Sequence, residues 1–164
     1  MSQHDDIALR VARLGKAVGT NGPSIVIAES CTGGMLCGAI VSDPDVSGAL
    51  ERGFVVYSID AKCELLNLER ERVEACAGVS KDIAIAMAKA ALDRSHADIA
   101  MAITGFAGPQ EHDEEVGLVH IALIGRDGKP RHHICHFGDV GREVVCRKTV
   151  LVALELLTDA AADP

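Results

Sequence analysis

Ser30, Cys31 and Thr32 stand in a row between Glu29 and a glycine pair, Gly33-Gly34, directly after the apolar run Ser24-Ile25-Val26-Ile27-Ala28. A short strand that feeds a polar, glycine-rich turn and then a helix can present a nucleophile. The glycines let the backbone approach a ligand, and N–H groups at a helix start favour anions and developing oxyanions. Ser30 is the candidate nucleophile of the three. A free serine hydroxyl reacts weakly at neutral pH and needs a base. No histidine falls in this turn, nor in the two other turns that follow apolar runs, Tyr57–Lys62 and Thr104–Gly108. Lys62 does, and a lysine partly desolvated in a cleft loses its proton near neutrality and serves as a base. Tyr57, the only tyrosine, lies five residues before it and can relay a proton or orient the amine. The same three residues also read, without chemistry, as an N-cap, a strand side chain and a surface charge; spacing alone does not separate the two readings.

Other groups carry weaker signals. Gly33-Gly34 and Gly105 with Gly108 could form two cradles of backbone N–H groups, although neither matches the phosphate-binding G-x-x-x-x-G-K-[ST] loop or the dinucleotide fingerprint. Arg142 and Arg147, near the start of the last helical segment, suit bidentate phosphate binding, and equally suit a solvated helix start. His132, His133, Cys135 and His136 invite a metal reading. On a strand, however, His132 and His136 share one face and His133 and Cys135 the other, so a single metal site is not expected. The acidic stretch Gln110–Glu115 reads as a solvated loop, of a kind that can also close over a site.

The elements that must position these residues follow from periodicity. Ile7, Val11, Leu14 and Val18 mark an amphipathic helix over 5–20, ended by Asn21-Gly22-Pro23. Residues 24–28 form a strand buried on both faces, since the run does not alternate, and 34–42 a helix of small residues. A second strand is expected over 53–58, with Asp60 opening a helical pattern as its N-cap. Helices over 69–76 and 80–94 follow, the latter capped by Ser80, then a strand over 98–103. Strands at 118–124 and 131–137 are joined by Arg126-Asp127-Gly128-Lys129, a hairpin signal, and a helix over 141–158 closes the chain. The order α-β-α-β-α-α-β-β-β-α implies an α/β fold, a three-layer α/β/α sandwich around a mixed, mostly parallel sheet. Ligands of such sheets collect at the carboxyl ends of neighbouring strands, so the three turns are expected at one edge.

The 164 residues bound the rest. They read as one domain, 1–164, with a 48% hydrophobic share that is globular rather than disordered. A net charge of −8 argues against a nucleic-acid partner, and no apolar run approaches the roughly 20 residues that cross a bilayer. The start lacks a basic segment and an apolar segment, so no signal peptide is read and a cytoplasmic location is expected. Six scattered cysteines without a C-x-x-C pair fit reduced thiols that mostly serve as small core residues. With no Trp and three Phe, the core is aliphatic, and stacking of nucleobases is not expected. An aliphatic chain with long amphipathic helices is expected to form a homo-oligomer, a dimer or trimer.

Several blocks, in order, resemble the C-terminal domain of the competence/damage-inducible CinA family, which includes the nicotinamide-nucleotide amidases. They are Ala28-Glu29-Ser30-Cys31-Thr32-Gly33-Gly34, then 51–58 with Ala61-Lys62, Val79-Ser80 ahead of Ala86-Met87-Ala88, Ile103–Pro109, Val116-Gly117, and Gly138-Asp139 with Arg142. The resemblance spans nearly the whole chain, in the stand-alone form of the domain. It implies hydrolysis of the carboxamide of nicotinamide mononucleotide, with Ser30 as nucleophile activated by Lys62 and Tyr57. It also implies an oxyanion held near Gly33 or Gly105, and a nucleotide substrate bound by Glu29, Thr32, Gly33, Gly34, Thr104, Gly105, Gly108 and Arg142. No metal or organic cofactor is implied. The alternative is a non-catalytic nucleotide- or phosphate-binding module linked to competence or DNA damage. The chain departs from the family pattern at the 110–115 loop, usually richer in glycine, and at Cys146, where a second arginine is frequent and Arg147 is displaced by one.

Overall fold

Strand residues that alternate between two apolar faces need a layer of helices on each side. The computed structural model, which describes residues 3–162, has that form. Its elements are α1 (Gln3–Val18), β1 (Ile25–Glu29), α2 (Met35–Val41), a single 3-10 turn (Ser47–Ala49), β2 (Leu50–Val55), α3 (Ile59–Leu66), α4 (Arg70–Glu74), α5 (Lys81–Asp93), β3 (Ile99–Gly105), β4 (Leu118–Gly125), β5 (Pro130–His136) and α6 (Arg142–Ala162). The sheet runs β2-β1-β3-β4-β5. β1 is parallel to both neighbours, while β3–β4 and β4–β5 are antiparallel, so four of the five strands point the same way.

Odd positions of β1 and β3, together with Val119, Ile121 and Leu123 of β4, face a core shared with Val11 and Leu14 of α1, Leu36 and Ile40 of α2, and Leu154 and Leu157 of α6. The opposite face carries smaller side chains, among them Ala28, Ala100, Ala102 and Ala122, against Leu66, Val73 and the Ala- and Met-lined face of α5. Small residues on both partners let α5 lie close to the sheet. Among the described residues no helix is long and apolar enough to cross a membrane.

Two expectations need correction. Between β2 and β3 the helical pattern expected to open at Asp60 is a full helix, a third beside the two counted in the element order, and its cap is Ser58: the Ser58 hydroxyl accepts from the N–H of Ala61 at 3.0 Å, which leaves Asp60 inside the helix. The second strand lies at 50–55 rather than 53–58, because β2 is a sheet edge in which Leu50 pairs with Ile25 and the exposed Arg52 with Val26, the register shifting past Glu51 between them. The other elements agree with the expected ones to within a few residues.

Chain order places the site. From β1 the chain moves outward through α2 to β2, then returns through α3–α5 on the opposite face to β3, on the other flank of β1. The connections that leave the neighbouring strands β1 and β3 run in opposite directions, to β2 and to β4, and such a reversal opens a crevice at the carboxyl ends of the two strands. The Ser30 N–H donates to Ile103 O at 3.0 Å and the Val56 N–H to Glu29 O at 2.8 Å. The end of β1 is therefore held from both sides where the Ser30 turn begins.

Candidate active site

Ser30 and Lys62 meet. The lysine is the fourth residue of α3, and side chains in a helix lean back toward its N-terminus. That lean carries the amine back to the strand end that precedes the helix. There Nζ donates to Val56 O at 3.0 Å and to Tyr57 O at 3.3 Å, and it lies 2.9 Å from Ser30 Oγ. Lys62 is 3% exposed and Ser30 6%. Burial disfavours the ammonium form and holds the Lys62 pKa below that of a free lysine; the neighbouring thiols of Cys31, Cys63 and Cys76 act in the opposite sense.

Cys31, next to Ser30, is not a competing nucleophile. Desolvation pushes its thiol up to about 12, with the nearby Cys146 adding to the effect, so it stays protonated at neutral pH. Its carbonyl accepts from Cys146 Sγ at 3.3 Å. Position 146 thus faces the underside of the nucleophile turn and is closed off from solvent. Among the described residues, nothing accepts from the N–H of Cys31 or of Thr32, the two donors that follow the serine.

The pair opens into a cavity of about 620 Å³. Its walls are the turn after β1, Tyr57, the α4–α5 turn, the loop from Gly105 to Glu114, and Arg142 at the start of α6. The Gly108–Pro109 peptide in that loop is cis. The acidic stretch, read as a solvated loop, contributes Glu111, His112 and Glu114 to the rim. Glu114 folds the loop on itself: its carboxylate accepts from the N–H groups of Glu111 and His112, the latter at 2.8 Å.

Several expected roles change. The Tyr57 phenol is 58% exposed at the rim and accepts from Arg142 Nη1 at 3.0 Å; it is the backbone carbonyl of Tyr57 that touches the lysine. Glu29 is buried, and its two oxygens accept from the N–H groups of Gly34, Leu36 and Cys37 at 3.2, 3.1 and 2.8 Å. A carboxylate there caps α2 and suits the positive end of its dipole. Thr104 is also buried, and its hydroxyl donates to Gly78 O at 2.6 Å. Thr32 is buried with its hydroxyl unpartnered. The Gly33 N–H closes the turn onto Ser30 O at 3.0 Å, which removes it as an oxyanion donor. None of Glu29, Thr32, Gly33, Gly34 and Thr104 lines the cavity, whereas Gly105, Gly108 and Arg142 do. Arg147 is not on the wall, so among the described residues Arg142 is the one arginine there.

The histidines of the hairpin lie apart from this cavity, whereas His112 of the 110–115 loop is on its rim. His132 Nε2 and His120 Nδ1 are 2.9 Å apart, one donating to the other, and burial lowers both pKa values. His136 Nδ1 pairs with Glu115 at 2.6 Å. Sequence reasoning did not single out the wall formed by Glu74, Cys76 and Ala77. Its only local signal is Ala77-Gly78, where a glycine in a left-handed turn ends one helix before Ser80 caps the next.

An α/β/α domain with a buried serine and lysine facing each other at the carboxyl edge of its parallel strands has the makings of a serine hydrolase without histidine. The family is shown by comparison: residues 8–161 match the model of the CinA C-terminal domain, and the chain belongs to that family. It is 41% identical over 115 residues to a CinA-like protein of Chlorobium limicola, covering 69% of this chain but only 27% of that protein. The chain thus spans about a quarter of the length of this curated relative. It is 35% identical over 148 residues to the nicotinamide-nucleotide amidohydrolase PncC of Escherichia coli K12, covering 88% of each chain. The crystal structure of the competence/damage inducible protein CihA from Agrobacterium tumefaciens superposes with a TM-score of 0.87 at 39% identity, covering 94% of both chains.

Proposed function

We propose that the protein is an amidase that hydrolyses the carboxamide of nicotinamide mononucleotide to nicotinic acid mononucleotide and ammonia, with Ser30 as nucleophile and Lys62 as base. The observation that carries this reading is the 2.9 Å approach of Lys62 Nζ to Ser30 Oγ, both buried, at the strand-end crevice. The relative named as a nicotinamide-nucleotide amidohydrolase, matched over nearly its full length, supports the choice of substrate.

The lysine's contacts favour the base role. A neutral amine has two N–H donors and one lone pair. The carbonyls of Val56 and Tyr57 take the two donors, which turns the lone pair toward the Ser30 hydroxyl. Lys62 then takes the serine proton as Oγ adds to the amide carbon. The N–H group of Cys31, a residue of the cavity wall that follows the nucleophile directly and has no other partner among the described residues, suits the developing oxyanion. The tetrahedral adduct collapses with breakage of the C–N bond; the Lys62 ammonium returns the proton to the leaving nitrogen, and ammonia departs. Water then gives a proton to the same amine as it adds to the acyl carbon; the C–Oγ bond breaks, the Lys62 ammonium returns the proton to Ser30 Oγ, and the acid departs as its carboxylate. Arg142, which donates to the Tyr57 phenol on the cavity wall, is the residue assigned to the phosphate in this reading.

Purified protein incubated with nicotinamide mononucleotide is the test. Ammonia release that falls by at least roughly a thousandfold in Ser30→Ala, and comparably in Lys62→Arg, with folding intact, is the expected result. Release undiminished in Ser30→Ala, or absent from the wild type with every nicotinamide nucleotide, overturns the proposal.

A further inference from the structure

Lys62 needs a wall on the side away from Ser30, and the turn between α4 and α5 supplies it. A Cβ built on Gly78 would stand 3.2 Å from Lys62 Cε and 3.5 Å from Nζ, so the glycine backbone lies directly against the end of the lysine stem. The turn gets there through two successive left-handed residues, Ala77 (φ 50°) and Gly78 (φ 74°), a conformation that costs energy at the alanine and leaves Gly78 little room for a side chain. Its internal hydrogen bonds are Ala77 N–H to Glu74 O at 3.2 Å, Gly78 N–H to Val73 O at 2.7 Å and Val79 N–H to Cys76 O at 2.9 Å. All of these stay within the turn and the end of α4. Among the described residues, one hydrogen bond joins 75–79 to the sheet: Thr104 Oγ1 to Gly78 O, 2.6 Å and buried.

We propose that Thr104 is a positioning residue for the Ser30–Lys62 pair: through the Gly78 carbonyl, its hydroxyl holds the 77–78 turn against the lysine and shuts solvent away from the amine. This inference rests on the reading of Lys62 as the base. Thr104 is the penultimate residue of β3, beside β1, whose end leads into Ser30, so one strand end positions the nucleophile while its neighbour seals the base. The titratable groups that face the amine are the thiols of Cys31 from the β1 turn, Cys63 from α3 and Cys76 from the α4–α5 turn. An ionised thiol would favour the ammonium, which leaves exclusion of water as the means of keeping the lysine neutral.

The experiment follows the Lys62 resonance by NMR in protein labelled at the lysine ε-carbons, assigned by its loss in Lys62→Arg, alongside the pH profile of ammonia release. Thr104→Val keeps the shape of the side chain and removes the donor. It is expected to move the Lys62 titration upward toward that of a free lysine and to carry the acid limb of kcat/KM with it. At neutral pH, kcat falls on the order of tenfold or more while KM stays within about twofold. Thr104→Ser restores both titration and rate. Gly78→Ala disturbs the same turn without touching β3 and is expected to act like Thr104→Val, which provides the test should the valine variant not fold. A Lys62 titration unchanged in these variants overturns the proposal. Because that titration needs no substrate, it decides the role of Thr104 even in a protein that releases no ammonia, whereas the absence of turnover counts against the amidase reading alone.

Discussion

Lys62 and Tyr57 divide their work between main chain and side chain in a way that residue types do not reveal. The tyrosine contributes its carbonyl to the base and its phenol to Arg142, so ring and amine serve different parts of the cavity. Tyr57→Phe removes only the phenol. It is expected to raise KM for nicotinamide mononucleotide several-fold, on the order of one lost hydrogen bond, and to leave kcat within about twofold. Steady-state kinetics that show the loss in kcat would instead return the phenol to proton transfer. Ser30 and Lys62 were legible because each follows an apolar run at a strand end, where chemistry has a reason to gather. Glu29 and Thr104 stood in the same motifs and were read as substrate contacts. A motif records which residues belong together and does not say which of them point inward. Glu29 lies on β1 with no exposed atom, and Thr104 lies beneath a turn about 26 residues away in sequence.

At the scale of elements, the β1–α2 corner depends on Glu29. A strand that enters a helix through Gly33 and Gly34, both with positive φ, leaves the first N–H groups of α2 without side-chain caps of their own. The buried carboxylate supplies three acceptor contacts from behind. Glu29→Gln puts a donor where an acceptor is required, and is expected to cost roughly 2–4 kcal/mol in urea unfolding. A loss below about 1 kcal/mol would show that α2 holds its start without this cap. Most element positions were legible from apolar periodicity and from Gly, Pro and Asp punctuation. The start of β2 was not, because an edge strand need not alternate or be apolar to pair, and Leu50-Glu51-Arg52 carries no strand pattern. The extent of α3 was not legible either: at eight residues it shows in the sequence only as a helical pattern opening near Asp60.

For the molecule as a whole, a buried lysine is a cost that depends on pH. The folded-state pKa of Lys62 lies below its unfolded value of 10.5. Between the two, the unfolded chain binds more protons, so stability rises with pH across that window; below the folded pKa the full penalty of the buried ammonium applies. Lys62→Met carries no such penalty. The melting temperature of the wild type relative to Lys62→Met is therefore expected to climb as pH is raised toward 10.5, and a difference independent of pH would contradict it. The layered α/β/α class was legible from the order of elements, as was a shared edge for the three turns. The strand order β2-β1-β3 was not: sequence tells that strands alternate with helices, and only packing tells on which flank of β1 each returns.

That order separates where the pair is made from where it is armed. Ser30 and Lys62 are brought together within one crossover, β1–α2–β2 and the first turn of α3. The wall that covers the lysine comes from the α4–α5 turn and is fastened by β3, the next strand along the chain. A chain folded only through α3 would hold the serine beside a solvated and hence protonated lysine, which has no lone pair to offer. On the amidase reading, a half-built or locally opened molecule is inert, and the nucleophile comes alive only when the third strand closes the sheet.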